Sequence, residues 1–139
     1  MSRAGQHRRL CWPTFNRLSY HPMDAQLIQT LQATHIAAWN EKDRTKRATL
    51  LQSIYADTIT MYDKELVLHG IEAVSDFIEK LQREDPAFQF SAAKPIESVQ
   101  NGVRLYGHID TAQGRLNSMD FFVMDEGKVL HLYAFIDIP

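Results

Sequence analysis

The apolar residues of this chain keep one period through most of its first half and another through its second, and that change limits the fold more than any single motif. Leu27, Ile28, Leu31, His35 and Trp39 recur at helical spacing behind Asp24, a residue suited to cap a helix start. The polar corner Asn40-Glu-Lys-Asp43 ends that stretch. Asp43 is placed to cap a second helix with Ala48, Leu51, Ile54 and Tyr55 as its inward stripe, and Arg47, one turn on, reads as a surface ion-pair partner for it. From Thr58 the period becomes two: Ile59, Met61 and Asp63 share one face, and Thr58, Thr60 and Tyr62 the other. A turn near Lys64 and a short strand, Leu66 to His69, lead to Gly70. There a third helix opens, carrying Ile71, Val74, Phe77, Ile78 and Leu81, and Pro86 limits it.

Beyond Pro86 alternation dominates. Phe88 and Phe90, then Ile96 to Gln100, read as strands, and Asn101-Gly102 is a two-residue hairpin signal. Val103 to Thr111, Leu116 to Met124 and Lys128 to Ile138 follow, separated by turns at Gln113-Gly114 and Asp125-Glu-Gly127. Three helices first and an antiparallel meander second define an α+β fold. A chain of 139 residues, 45% hydrophobic, is large enough to bury one core without staples, so residues 23–139 are expected to form a single domain.

Residues 1–22 show no sustained period and contain Pro13 and Pro22, and they read as a tail. Their composition fits a transit peptide, or residues upstream of a true start at Met23, with Trp12 or Phe15 available to staple the tail to the body. This tail holds four of the 15 basic side chains and none of the 17 acidic ones. The body is therefore acidic, which argues against nucleic acid as a partner. No apolar run approaches the roughly 20 residues that cross a bilayer, and the lone Cys11 excludes an internal disulfide. A soluble, cytoplasmic protein without a membrane partner is the expectation.

Several short segments carry a resemblance when taken together and in order. They are Ala38-Trp39-Asn40 with Asp43, Tyr55-Ala56-Asp57 before Thr60-Met-Tyr-Asp63, His69-Gly70-Ile-Glu-Ala73 with Phe77-Ile78, and Met119-Asp120-Phe121 with Gly127-Lys128-Val129. Across roughly residues 24 to 137 the chain resembles the nuclear transport factor 2-like superfamily, and most closely its SnoaL-like, ketosteroid-isomerase-like branch. The resemblance implies a curved antiparallel sheet wrapped around three helices to form a cone, an apolar cavity at the cone mouth, and a homodimer through the outer sheet face. It also places Asp63 where such isomerases keep a general base, and Asp120 where they keep a second, protonated carboxyl. His35 falls where they keep a tyrosine. An imidazole in place of a phenol changes the donor's pKa and geometry, which points away from steroid isomerisation itself.

The residues make a case of their own. Asp120 shares its strand face with Leu116, Ser118, Phe122 and Met124, and Asp63 shares its face with Ile59 and Met61. A carboxyl on a mostly apolar face loses hydration, which raises its pKa and suits it to act as a base or neutral donor. Plain structural readings stand beside this: Asp63 as a turn residue, His35 as a hydrogen-bonded core histidine, or His35 and Asp120 satisfying each other. Trp39, Tyr55, Met61, Phe77, Phe90 and Phe122 are candidates to line the cavity, with core packing as the alternative. His69, His108 and His131 lack the spacing of a zinc signature, and His108 and Asp110 share a face with Arg104 and Tyr106 that reads as solvated or interfacial. No phosphate loop, nucleophile elbow or dinucleotide fingerprint is present, so no metal and no cofactor is expected. Two functions compete: cofactor-independent proton transfer on a small, mostly apolar, carbonyl-containing molecule, by Asp120, Asp63 and His35; or a non-catalytic binding or assembly module of the same fold.

Overall fold

The computed structural model describes residues 24–137. The expected tail, the start at Met23, Cys11, Trp12, Phe15 and the last-strand residue Ile138 lie outside the described residues. Helix α1 (Ala25–Asn40) is capped by Asp24, whose carboxylate accepts the Gln26 N–H at 2.8 Å, and it buries Ile28, Leu31, His35, Ala38 and Trp39. Asp43 caps α2 (Arg44–Ile54) by accepting the Thr45 N–H at 2.9 Å. The chain then passes without a loop into β1 (Tyr55–Tyr62), so Tyr55 is the first residue of a strand rather than the last of a helical stripe. β2 (Val67–His69) turns back on β1, and α3 (Ile71–Glu84) follows Gly70. Gly70 adopts φ +90 and gives its N–H to the Ile59 carbonyl at 2.7 Å, a backbone state that favours glycine and ties the helix start to β1.

The remaining strands are β3 (Gln89–Ala92), β4 (Glu97–Val99), β5 (Gly102–Thr111), β6 (Gly114–Asp125) and β7 (Lys128–Asp137). They form one seven-stranded sheet in the order β2-β1-β7-β6-β5-β3, with β4 also pairing with β5. The strands from β3 to β7 pair antiparallel as the expected meander, and the curved antiparallel sheet that the resemblance implies is corrected only where β1 lies parallel to β7. One face, with Ile59, Leu105, Phe122 and Leu132, meets the three helices and forms the core. Among the described residues no helix is long and apolar enough to cross a membrane.

Two of the hairpin turns sit one residue earlier than the glycines suggest. The β4–β5 loop is Gln100-Asn101, with Gln100 at φ 56, and Gly102 is already in β5. Gly102 serves a ring: a Cβ there would lie 2.8 Å from Phe121 Cζ. Likewise Ala112 and Gln113 make the β5–β6 turn. The third turn is confined to Glu126 and Gly127, at φ 51 and 80, as the twist of a two-residue hairpin requires.

Arg47 is not on the surface. It is fully buried and reaches α3 and the α1–α2 corner, donating to Ser75 Oγ at 2.9 Å, the Glu41 carbonyl at 2.8 Å and Glu79 Oε1 at 2.9 Å. Asn40 clamps the end of α1 to β3 by exchanging hydrogen bonds of 2.8 Å with both backbone groups of Phe90. Gln82 completes the corner by donating to the carbonyls of Trp39 and Glu41. Replacing Arg47 by Ala leaves a cavity and a buried Ser75 hydroxyl without its partner, and takes one of two donors from the Glu41 carbonyl, while half-exposed Glu79 turns to water. Arg47→Ala should therefore cost about 2–4 kcal/mol. Urea unfolding is expected to show a lowered midpoint with an unchanged slope, and a wild-type midpoint would refute this role for the guanidinium.

Candidate functional site

The helices do not fill the concave face of the sheet. A cavity of about 230 Å³ remains between α1, α3 and the strands. Its aromatic walls are Trp39 from α1, Phe77 from α3, Phe88, and Phe90 from β3. Met61, Leu81, Ile109, Leu116 and Ala134 add aliphatic surface, and the exposed Glu84 and Ile136 mark its open side. The polar groups in the wall are few: Asp63, Glu84, Asp85, Thr111, Ser118 and Asp120. Among the described lining residues there is no Lys or Arg, so the site is apolar with a negative bias.

Asp120 is the buried acid in this wall, 8% exposed on β6. Its Oδ2 meets His35 Nε2 at 3.0 Å; His35 Nδ1 meets the Tyr55 hydroxyl at 2.8 Å; and Trp39 Nε1 donates to that hydroxyl at 3.0 Å. Donor bookkeeping fixes the direction. An indole N–H can only donate, so the Tyr55 oxygen accepts from Trp39, and the phenol proton has one remaining partner among the described residues, His35 Nδ1. The imidazole must then carry its proton on Nε2 and donate it to Asp120. Every link is satisfied once when His35 is neutral and Asp120 ionised. Protonating Asp120 on Oδ2 would reverse the imidazole and leave the buried Tyr55 O–H without an acceptor. Burial drives the Tyr55 phenol well above its ordinary pKa; the Trp39 N–H opposes that rise and the nearby Asp120 charge adds to it, so the phenol stays a donor.

The predicted site residues thus fall into two groups. Asp120, Asp63, Trp39, Met61, Phe77 and Phe90 line the cavity. His35, Tyr55 and Phe122 do not: they are 1%, 1% and 0% exposed and sit beneath the wall. His35 packs edge-on against Phe122 at 4.9 Å and Phe90 at 5.6 Å, and its N–H is committed to Asp120, so it supports the carboxylate and cannot touch a ligand. Asp63 follows β1 as a half-buried turn residue whose Oδ1 accepts the N–H groups of Glu65 (2.8 Å) and Leu66 (2.9 Å), leaving Oδ2 uncommitted. The turn reading and the cavity reading of Asp63 both hold. The sequence places Ser118 on the Asp120 face but assigns it no role; its Oγ is buried without a hydrogen-bond partner. The signal was its place two residues before Asp120 on the same face.

His69 and His131 flank Thr60 across β2-β1-β7, and His108 lies on the outer face of β5 beside Arg115. No cluster of three His, Cys, Asp or Glu side chains among the described residues is placed to hold a metal.

Neither a sequence-family model nor a curated protein sequence matches this chain. Solved structures do. A candidate isomerase of the SnoaL-like family from Agrobacterium tumefaciens superposes with a TM-score of 0.73 at 22% identity, covering 81% of this chain and 99% of the other. A candidate SnoaL-like polyketide cyclase from Jannaschia gives 0.66 at 12% identity, over 84% and 92% of the two chains. A protein with a ketosteroid-isomerase-like fold from Catenulispora acidiphila, in complex with trimethylamine, gives 0.63 at 10% identity, over 81% and 86%. The chain has the nuclear transport factor 2-like cone fold, in the form shared by SnoaL-like and ketosteroid-isomerase-like structures.

The relay carries a stability signature. Because the folded Tyr55 phenol holds its proton above the usual tyrosine value of about 10, its contribution is complete below that pH and is lost as pH rises and the unfolded chain ionises first. Tyr55→Phe should cost about 1–3 kcal/mol near neutrality by orphaning Trp39 Nε1 and His35 Nδ1. It should also flatten the loss of stability above about pH 10. Chemical denaturation across that range checks both, and an unchanged alkaline slope would rule out the buried phenol.

Proposed function

We propose that the cavity binds a small, mostly apolar carbonyl compound and that Asp120 transfers a proton to and from carbon without a cofactor. One observation carries this reading: a buried carboxylate lines an apolar cavity, with one oxygen held by a closed hydrogen-bond relay and Oδ1 left without a partner among the described residues. A base needs a free lone pair, fixed geometry and partial desolvation, and Asp120 has all three. Oδ1 takes a proton from the carbon next to the carbonyl. It returns that proton to another carbon in an isomerisation, or the enolate attacks a second carbonyl in an aldol-type cyclisation and the alkoxide so formed takes the proton back. Throughout, His35 keeps donating to Oδ2 and holds the carboxylate in place. Asp63, half-buried with Oδ2 free, is the second carboxyl, able to exchange protons between cavity and water. The negative wall disfavours anionic ligands, and its largely apolar lining suits neutral molecules. A neighbouring structure of this fold in complex with trimethylamine supports small-molecule occupancy.

Proton exchange into deuterated water, followed by NMR on a panel of neutral ketones and β-dicarbonyl compounds, tests the reading. Asp120→Asn is expected to lower the exchange rate by about 10²- to 10⁴-fold, with a smaller loss for Asp63→Asn. Undiminished exchange in Asp120→Asn would remove the base.

The outer sheet face favours homodimer formation alongside this activity. Tyr62 and Tyr133 stack there at 4.4 Å and 8°, and Phe135 beside them is 56% exposed. Sedimentation should show a dimer that Phe135→Glu dissociates, and a wild-type monomer at micromolar concentration would discard the interface.

A further inference from the structure

An enolising base needs a partner at the carbonyl oxygen, because the charge it creates on carbon collects there. On the proton-transfer reading of the cavity, that partner is a donor in the wall not already committed elsewhere. The Trp39 indole N–H is given to Tyr55 and the His35 N–H to Asp120. The Thr111 hydroxyl donates to the Gly114 carbonyl at 2.7 Å. Asp63, Glu84 and Asp85, as carboxylates, only accept. Among the described lining residues one neutral side-chain donor remains uncommitted, the hydroxyl of Ser118.

We propose that Ser118 Oγ–H holds the ligand's carbonyl oxygen while Asp120 Oδ1 removes the proton from the adjacent carbon. The ligand is then a ketone or related carbonyl compound that presents oxygen and enolisable carbon along β6, oxygen toward Ser118. Three observations support the assignment. Ser118 and Asp120 are alternate residues of one strand, so they share a face about 7 Å apart. Two contacts of about 2.8 Å, together with the short reach from enolisable carbon to oxygen, fill such a gap. Ser118 is only 7% exposed and its hydroxyl has no partner, a state rare enough in folded proteins to call for a reason. Space for it is also provided for. Gly107 is the residue paired with Ser118 on β5, and a Cβ there would come within 2.9 Å of Ser118 Oγ and 2.6 Å of Phe90 Cε1. The hydroxyl rests in the room the glycine leaves, and to meet a ligand it must turn about χ1 to another staggered well.

The test uses 2-naphthol, whose oxygen mimics that of an enolate, and naphthalene, which has the same rings without it. Both are titrated against the full-length Asp120→Asn protein, where the amide stands for the base after it has taken its proton, and against the Asp120→Asn/Ser118→Ala and Asp120→Asn/Ser118→Thr proteins. The expected result is a loss of about tenfold or more in naphthol affinity for the alanine variant and a raised pKa of the bound naphthol. Naphthalene affinity should stay unchanged, and threonine should restore naphthol binding. Because the hydroxyl has no partner to lose, Ser118→Ala should not lower the melting temperature, whereas a purely structural serine would. An unchanged preference for naphthol over naphthalene in the alanine variant overturns the proposal, as does failure of naphthol to bind the Asp120→Asn protein. Failure of the base assignment shows elsewhere, as proton exchange that survives Asp120→Asn, so the two ideas fail separately.

Discussion

A carboxylate inside an apolar cavity is tolerable only when something other than water holds its charge. In this protein that something is a line of dipoles pointing one way: indole N–H to phenol oxygen, phenol O–H to imidazole Nδ1, imidazole N–H to Asp120. Each group is used once, and no fixed cation takes part. The line joins α1, the start of β1 and the middle of β6, so the relay that makes the charge acceptable also joins the helical layer to the sheet. Removing either interior member, Tyr55 or His35, strands two others in a place without solvent, which is why the relay is a fold element as much as a site element.

The helical layer must therefore be held to the sheet with side-chain accuracy, and three polar clamps around the α1–α2 corner do this. Arg47 spreads its donors over α3 and the corner backbone, Asn40 pairs with both backbone groups of Phe90, and Gln82 takes the carbonyls at the end of α1. Trp39 stands directly before Asn40, so the residue that begins the relay is anchored at its own helix turn. Phe90, fixed by the same asparagine, lies over Gly107 and forms the wall next to Ser118. Clamp, wall and relay share residues, and a shift in one moves the others.

Much of this was legible in the sequence and the rest was hidden for identifiable reasons. The change of period gave the three helices and the strands, because amphipathic patterns are set by burial on one face. The parallel pairing of β1 with β7 was not visible, since alternation says which face is buried but not which strand lies alongside. Arg47 read as a surface residue because spacing reveals partners one turn away, while its ionic partner Glu79 is 32 positions distant. The β4–β5 turn reads one residue late because a glycine in a turn motif is expected to serve φ, whereas Gly102 serves the approach of the Phe121 ring. Tyr55 was read as buried and is buried, but at a helix–strand junction both periods predict that and neither names the element. The pairing of His35 with Asp120 is legible in the sequence, whereas Tyr55 reads as cavity lining and lies beneath the wall, and the bond from Trp39 to its hydroxyl stays hidden, because a sequence shows that an aromatic is inside, not where its polar atom points.

Asp63 and Asp120 show how one residue type acquires two characters. Asp63 accepts two backbone N–H groups at a turn and remains half-exposed, so water can carry protons to and from it. Asp120 is shut away and depends on a side-chain relay. When Oδ1 of Asp120 takes up a proton, Oδ2 still accepts from His35, so imidazole, phenol and indole keep the orientations they hold beforehand. No buried dipole has to turn during the step, and a site whose dipoles need not turn avoids the reorganisation that slows the same proton transfer in water. Had the relay run the other way, with the carboxyl donating, the phenol proton on the far side of the imidazole would be left without an acceptor, and each proton taken from a ligand would require rearranging the core. The direction imposed by the indole, which can donate and never accept, makes Asp120 suited to receive protons rather than to give them at rest.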